Sequence, residues 1–458
     1  MSIFRAYDIR GVFGRDLTEE IAEKIGKGFG TYIKGKEVVV GRDCRLSSSA
    51  LSSALIRGLT SVGCDVTDIG MVPTPVVYFS MIHYKKNNAV MITGSHNPPE
   101  YNGFKLCKDS YALYGDEIQE IRKILESGNF IEGSGTVTRK DVTNDYVNFI
   151  KERISLRRRL KIVIDAGNGT GGEISERIFR ELGCDVIPLY CEPDGSFPNH
   201  HPDPTIDEFL NDLIETVKRE RADIGIAYDG DADRVGFIDD KGRIIRGDQS
   251  LILFSREILR KHKGSKIIFE VKCSQAVIED IERNGGIPIM YRTGHSFIKK
   301  KMKEENALLA GEMSGHFFFA DNYYGYDDAI FASARMAELL SRSEKNLSEI
   351  ISDIPRYIST PEIRIRCRDD EKFRIVESIV EKFKREYSVI TVDGARIQFK
   401  DGWGLVRASN TEPALILRFE AKTKEELNRI EQIITDELRR FPSISGELNV
   451  LGQGIMNS

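Results

Sequence analysis

Residues Ala89 to Lys105 read AVMITGSHNPPEYNGFK, an apolar run that ends abruptly in Thr93, Gly94 and a lone Ser95 before His96, Asn97, Pro98 and Pro99. A short apolar run that meets glycine has the pattern of a buried strand entering a loop, and the proline pair forbids an immediate return to a sheet ladder. Ser95 is therefore expected to sit exposed at the C-terminal end of a strand. In an open α/β sheet that is where sites form. The same letters also fit an Asn-Pro turn in which Ser95 only bonds neighbouring amides. The rest of the chain decides between the two.

Upstream, Lys36 to Val40 with Gly41-Arg42-Asp43 reads as a strand and turn, Ser49 to Gly63 as a helix, and VTDIG as a second strand before AVMI. The order recurs in LKIVIDAGNGTGG, a helix ending at Gly183, VIPLY and ADIGIAY, which opens into Asp229-Gly230-Asp231-Ala232-Asp233-Arg234. It recurs again in KIIFEVKCS, a helix ending at Asn284-Gly285-Gly286, IPIMY and ALLAGEMSGH. Three such units argue for three α/β domains built alike. Each third strand ends in a different polar loop, carrying Ser95, the three aspartates, or Glu312, Ser314 and His316. Spans near Ser110 to Glu152 and Asp327 to Thr360 are mostly helical by pattern and are expected to carry the inter-domain connections.

The last hundred or so residues break the pattern. EIRIRCRD, a helix over Asp370 to Tyr387, strands in SVITVDG, ARIQFK, WGLVRAS and ALILRFEA, and a helix from Thr423 to Arg440 suggest a smaller α+β domain. The expected fold class is α/β: three similar mixed α/β domains plus a smaller C-terminal α+β domain around a central cleft. The expected boundaries are 1–148 with the serine loop, 149–250 with the aspartate loop, 251–358 with a sugar-binding loop, and 359–458.

At 458 residues, 40% hydrophobic and 30% charged, the chain can bury several cores. A net charge of −5, with only short basic clusters at Arg157 to Arg159 and Lys299 to Lys301, makes no electrostatic case for nucleic acid. Seven cysteines with no CxxC pair favour neither a zinc site nor a disulfide framework, and reduced cytoplasmic thiols are expected. The start, MSIFRAYDIRG, carries charge by its fifth residue, and no apolar run approaches the roughly 18 residues of a membrane span. Neither export nor membrane anchoring is expected.

Asp229, Asp231 and Asp233 alternate, which in an extended segment points three carboxylates one way. A hard divalent cation relieves their repulsion, and all-oxygen ligation favours Mg²⁺ over zinc. An EF-hand is rejected because Arg234 stands where glycine is needed and Asp240 where the bidentate glutamate is needed. Three carboxylates leave room for one more oxygen, which a phosphorylated Ser95 would supply. The loop Arg407-Ala408-Ser409-Asn410-Thr411-Glu412-Pro413, with Arg418 beyond it, holds the donor inventory of a phosphate cradle. On GEMSGH, flanking glycines permit close backbone approach and Glu312 can accept two hydroxyl hydrogen bonds, which suits a sugar. His295 fits a general acid or base, a ligand contact, or a neighbour of a helix N-cap. His200-His201, in a proline-rich loop, reads as structural or hinge-like.

TGSHNP, DGDADR, GEMSGH and RASNTEP, in that order, resemble the α-D-phosphohexomutases, in particular their phosphomannomutase/phosphoglucomutase branch, across essentially the whole chain. The resemblance implies a four-domain, heart-shaped enzyme that isomerises hexose 1-phosphate and 6-phosphate of mannose, glucose or both, through a hexose 1,6-bisphosphate. It implies that Ser95 is the phosphoserine and that Asp229, Asp231 and Asp233 hold Mg²⁺ together with its phosphate. Lys105, Arg234 and His295 become catalytic candidates. Glu312 and Ser314 would bind sugar hydroxyls, and Arg407, Ser409, Asn410, Thr411 and Arg418 would clamp the non-reacting phosphate. Tyr7, Arg10, Lys272 and His316 match further substrate contacts. Because the clamp must take either end of the substrate, the last domain is expected to hinge. Phosphoglucosamine mutase is the rival within the family, although its loops more often read ASHNP and GEQSGH. Outside it, a metal-dependent sugar phosphatase would use the same serine and aspartates.

Overall fold

The computed structural model of the chain describes residues 3–5, 7–109, 111–409, 412–444, 446 and 448. It divides into two compact units, Met1–Lys261 with Gly294–Asp353, and His262–Thr293 with Ile354–Ser458. No helix among the described residues is long and apolar enough to cross a membrane.

In the first unit, strand Val38–Arg42 lies between Val66–Met71 and Asn88–Ile92, parallel to both. Gly41 and Arg42, expected in a turn, stay in the ladder because they pair with Met91 and Ile92. Asn88–Ile92 then meets Tyr101–Lys108 antiparallel, and that strand takes Ile9–Val12 along its other edge. Val137–Arg139 adds a parallel edge strand beside Val66–Met71. The span from Ser110 to Glu152 is therefore helical only in part, at Asp116–Ser127 and Thr143–Lys151. Helices Glu19–Tyr32 and Ser48–Thr60 cover the sheet through Ile25, Phe29, Leu51 and Leu55.

The second sheet repeats the plan. Lys161–Asp165 is parallel to Asp185–Leu189 and to Ile224–Tyr228, and Val235–Asp239 returns antiparallel beside the latter. Leu309–Gly311 and Phe317–Phe319 form the corresponding antiparallel pair of the third repeat. The serine, aspartate and glutamate loops are thus equivalent: each is the tip of a hairpin that starts at the end of a third strand.

The repeat as read from sequence omitted one element. In sequence, a helix lies between the second and third strands of every repeat: Thr74–His83, Asn211–Glu220 and His295–Glu305. Parallel strands cannot be joined by a tight turn and need such a crossover. The first of these is buried over most of its surface, so it carries no amphipathic stripe.

In the second unit, Lys266–Glu270 and Ile287–Tyr291 run parallel, with helix Gln275–Arg283 between them in sequence. Strands Ser388–Ile390, Ala395–Phe399, Gly402–Ala408 and Ala414–Ala421 form an antiparallel meander, with Ile358–Ser359 and Ile363–Arg366 also on the last of them. Helices Lys372–Phe383 and Lys424–Leu438 pack on this sheet through Ile379, Phe383, Ile430 and Ile434. Burying each such side chain contributes about 1.5–3 kcal/mol.

Candidate active site

Ser95 is not exposed, contrary to the reading of its local sequence: it is 3% accessible. The aspartate hairpin closes over it, so tightly that a Cβ on Gly230 would stand 2.6 Å from the Ser95 carbonyl oxygen. Ser95 has φ +49°, in the left-handed region, and its amide donates to Thr93 Oγ1 at 2.8 Å. Its Oγ donates to Asp229 Oδ2 at 2.9 Å and lies 3.1 Å from His96 Nδ1.

The three aspartates converge, but not from an extended segment. They sit in a turn with Ala232 at φ +53°, and the turn gathers their ligand oxygens within 4.8 Å of one another. Asp229 Oδ1 accepts the amides of Asp233 and Arg234, both at 3.1 Å. Asp231 Oδ2 accepts from Thr74 Oγ1 at 2.5 Å and from Lys105 Nζ at 2.7 Å, while Asp233 Oδ2 accepts from Lys105 at 2.5 Å. Asp231 Oδ1 and Asp233 Oδ1 are buried without a hydrogen-bond partner among the described residues. Burial, reinforced by Asp233 and Asp231, pushes the Asp229 carboxyl well above its usual range. Burial acts the same way on Asp233, but Lys105 outweighs it and holds that group below its usual range. For Lys105 burial opposes the charge, and Asp231 and Asp233 more than restore it. Three converging buried carboxylates, two with an oxygen that accepts no hydrogen bond among the described residues, fit a hard divalent cation.

The third hairpin adds a histidine node. His316 Nδ1 donates to the Asp233 carbonyl at 3.0 Å, and its Nε2 accepts from Arg234 Nε at 3.1 Å. Buried Asp327 lies 3.4 Å from His316 Nδ1, 3.3 Å from His295 Nδ1 and 2.8 Å from Lys299 Nζ. Burial, then Lys299, depresses the His295 imidazole to about 4, although Asp327 pulls the other way. In His316 burial is outweighed by Asp233 and Asp327, and the imidazole is raised. Glu312 Oε1 accepts the Gly294 amide at 2.7 Å, and Ser314 is half-buried in the turn of the same hairpin. Tyr7 packs edge-on against Phe297 and His295, and Arg10 reaches Asn97 Oδ1 of the serine loop at 2.5 Å.

Sequence reasoning missed Thr74 and Asp327. Thr74 opens a helix whose buried surface hides it. Asp327 precedes Asp328, whose side chain caps Ala329–Ser341 by accepting the Phe331 amide. Asp327 entered the sequence reading only as the start of a helical span. His200 bonds Asp165 and His201 bonds the His96 carbonyl, so the pair is structural as expected.

The second unit holds the cations expected of a phosphate cradle. Arg407 Nε pairs with Asp393 at 3.0 Å, and Lys272 Nζ with Glu362 at 3.0 Å and Glu270 at 3.5 Å. Lys272 is raised above its ordinary value because Glu270 and Glu362 outweigh its burial. Ser409 Oγ accepts the Glu412 amide at 3.1 Å, which folds the loop, and Arg418 is buried on the following strand. Asn410 and Thr411 lie outside the described residues.

Four models of one protein family match successive parts of the chain. Models described as phosphoglucomutase/phosphomannomutase, alpha/beta/alpha domains I, II and III match residues 1–132, 144–242 and 246–357. The same family's C-terminal domain matches residues 362–437. The chain is 48% identical over 446 residues to a phosphomannomutase/phosphoglucomutase of Pseudomonas aeruginosa, covering 96% of each. It is 45% identical over 450 residues to a phosphoglucomutase of Neisseria meningitidis, covering 96% of this chain and 98% of the relative. A crystal structure of a phosphoglucomutase/phosphomannomutase family protein from Burkholderia thailandensis superimposes with a TM-score of 0.91 at 42% identity, covering 96% of this chain and 97% of that one.

Proposed function

The chain belongs to the phosphoglucomutase/phosphomannomutase family and is an isomerase that interconverts hexose phosphates, and on that premise we propose that its reaction runs through Ser95 as a phosphoserine. The bond between Ser95 Oγ and phosphorus breaks as one forms to the free hydroxyl of a hexose 1- or 6-phosphate, and that hydroxyl's proton ends on Oγ. The hexose 1,6-bisphosphate turns end for end and returns its other phosphate to Ser95. Asp229, Asp231 and Asp233 would hold Mg²⁺ with an oxygen of the Ser95 phosphate. Bound there, the ion supplies compensation for charge on the transferring group.

Lys105, kept positive by two carboxylates, stands beside the same group and offsets its charge. Arg234 and His295 complete the catalytic set. Glu312 and Ser314 orient the sugar hydroxyls, and Tyr7, Arg10, Lys272 and His316 contact the substrate. Arg407, Ser409, Asn410, Thr411 and Arg418 hold the phosphate that does not react. Mannose and glucose phosphates differ in the orientation of a single hydroxyl, and both are accepted. The observation that carries this reading is the Ser95 hydroxyl 2.9 Å from Asp229, inside a carboxylate cluster with two unpartnered buried oxygens.

The test is conversion of 1-phosphates to 6-phosphates by purified protein with Mg²⁺ and a trace of glucose 1,6-bisphosphate, run on mannose, glucose and glucosamine phosphates. Comparable turnover of the first two, abolished in Ser95→Ala, is expected. Dominant turnover of glucosamine phosphate, or steady release of inorganic phosphate, would overturn it.

A further inference from the structure

The serine loop has a supply problem. Residues 93–100 leave the sheet, are buried or partly buried as far as Asn97 and exposed from Pro98 to Glu100, and include two prolines that lack an N–H. The loop's own amides satisfy only the Gly94 and Pro98 carbonyls, through Asn97 and Tyr101, each at 3.0 Å. Buried carbonyls need donors. The Glu100 carbonyl takes the Phe13 amide at 2.9 Å, and for residues 95–98 the outside donors are two side chains.

Arg45, whose side chain is fully buried, donates from Nη2 to the carbonyls of Ser95 at 2.7 Å and Asn97 at 2.5 Å. From Nη1 it donates to those of Pro98 at 2.5 Å and Tyr101 at 3.0 Å. His201, from the second repeat, donates from Nε2 to the one between them, the His96 carbonyl. A carbonyl only accepts, so that nitrogen carries the proton. Asp43 completes the frame, lying 3.2 Å from Arg45 Nε and accepting the Gly94 amide at 3.0 Å. The loop packs flat on the guanidinium, since a Cβ at Gly94 would stand 2.5 Å from Arg45 Cζ.

We infer that Arg45, together with His201, is a positioning residue for the phosphoryl-carrying serine: by taking the carbonyls of residues 95–98 on one side, the two set the direction of Ser95 Oγ. Ser95 stands at φ +49°, a conformation costly for a residue with a Cβ, which persists only where the surroundings over-determine it. The carbonyl frame is that surrounding. It needs the planar, five-donor fork of arginine, which a lysine does not reproduce. This inference rests on the phosphoserine reading.

The experiment uses the full chain with Mg²⁺ and glucose 1,6-bisphosphate, and expresses kcat per phosphoenzyme, counted by intact mass. In Arg45→Lys, kcat is expected to fall about 100-fold with KM within about twofold, the signature of a displaced reacting group. His201→Phe keeps a ring against Phe209 but loses the donor, and is expected to fall about 10-fold. His201→Gln carries an amide nitrogen near the place of Nε2 and is expected to recover to within about threefold of the parent. Should Arg45→Lys not fold, the His201 pair decides. An Arg45→Lys enzyme with unchanged kcat per phosphoenzyme, or a His201→Gln no better than His201→Phe, overturns the inference. Activity persisting in Ser95→Ala would instead sink the phosphoserine reading beneath it.

Discussion

At Asp229, Asp231 and Asp233, three buried carboxylates crowd one turn, and Lys105 brings a positive charge to two of them. At Lys272 and Arg407, two cations proposed to meet phosphate are paired with Glu270, Glu362 and Asp393, which supply the negative charge. Each cluster carries opposite charges from its own unit, yet they differ in how firmly those partners are held. Lys105 is enclosed and tied to two aspartates, whereas Glu362, which pairs with Lys272, keeps 27% of its side chain open, where water and a phosphate can compete for the cation. The acidic cluster is built to keep its geometry, and the basic one to exchange partners. That is the division of labour expected when one site carries a phosphoryl group and the other must grip either end of a sugar.

The largest effect is expected from Asp231→Asn, which takes charge from the carboxylate shared by Lys105 and Thr74. Loss of kcat on the order of 1000-fold across a Mg²⁺ titration is expected. A loss below about tenfold would reduce the cluster to a structural feature. Asp328 offers a buried carboxylate whose partners are the hydroxyls of Tyr146 and Tyr323 in place of ammonium, and burial pushes it up to about 6. With the folded value above the unfolded one, its contribution to stability is full below about pH 4 and is lost as pH rises through about 6. Relative to Asp328→Asn, the parent should lose about 3 kcal/mol over that window in denaturant melts. A flat difference between the two would mean the hydroxyls fully replace water.

Smaller effects come from the basic cluster. Arg407→Ala should raise KM about 30-fold with a lesser change in kcat, through loss of charge-assisted hydrogen bonds to phosphate. An unchanged KM would remove Arg407 from the cradle. Asp393→Asn should act in the opposite direction, lowering KM about threefold by removing the anion that competes for Arg407. A raised KM there would show that Asp393 orients the guanidinium more than it competes with phosphate.

The position of Ser95 at the end of a third strand was legible because four apolar residues, a glycine and two prolines are local signals. Its burial was not, because the hairpin that covers it comes from 134 residues away and depends on Gly230 having no side chain. The aspartates were read as candidate metal ligands by type and spacing. The turn that aims them, with Ala232 in the left-handed region, contradicts the extended geometry their alternation suggests. Thr74 was hidden in a helix without polar periodicity, and Asp327 behind a neighbour with an ordinary capping role.

By itself, then, the sequence determined the repeated order of strands, the three polar loops that end the third strands, and the change of architecture after the third repeat. These follow from periodicity and turn residues, which act over a few positions. Only the tertiary structure decided that Lys105 bridges Asp231 and Asp233, that Asp327 joins two imidazoles to Lys299, and that Arg45 holds the carbonyls of the serine loop. Those pairings exist because packing removes water from charges far apart in the chain, and each buried charge or carbonyl must then find its partner within the fold.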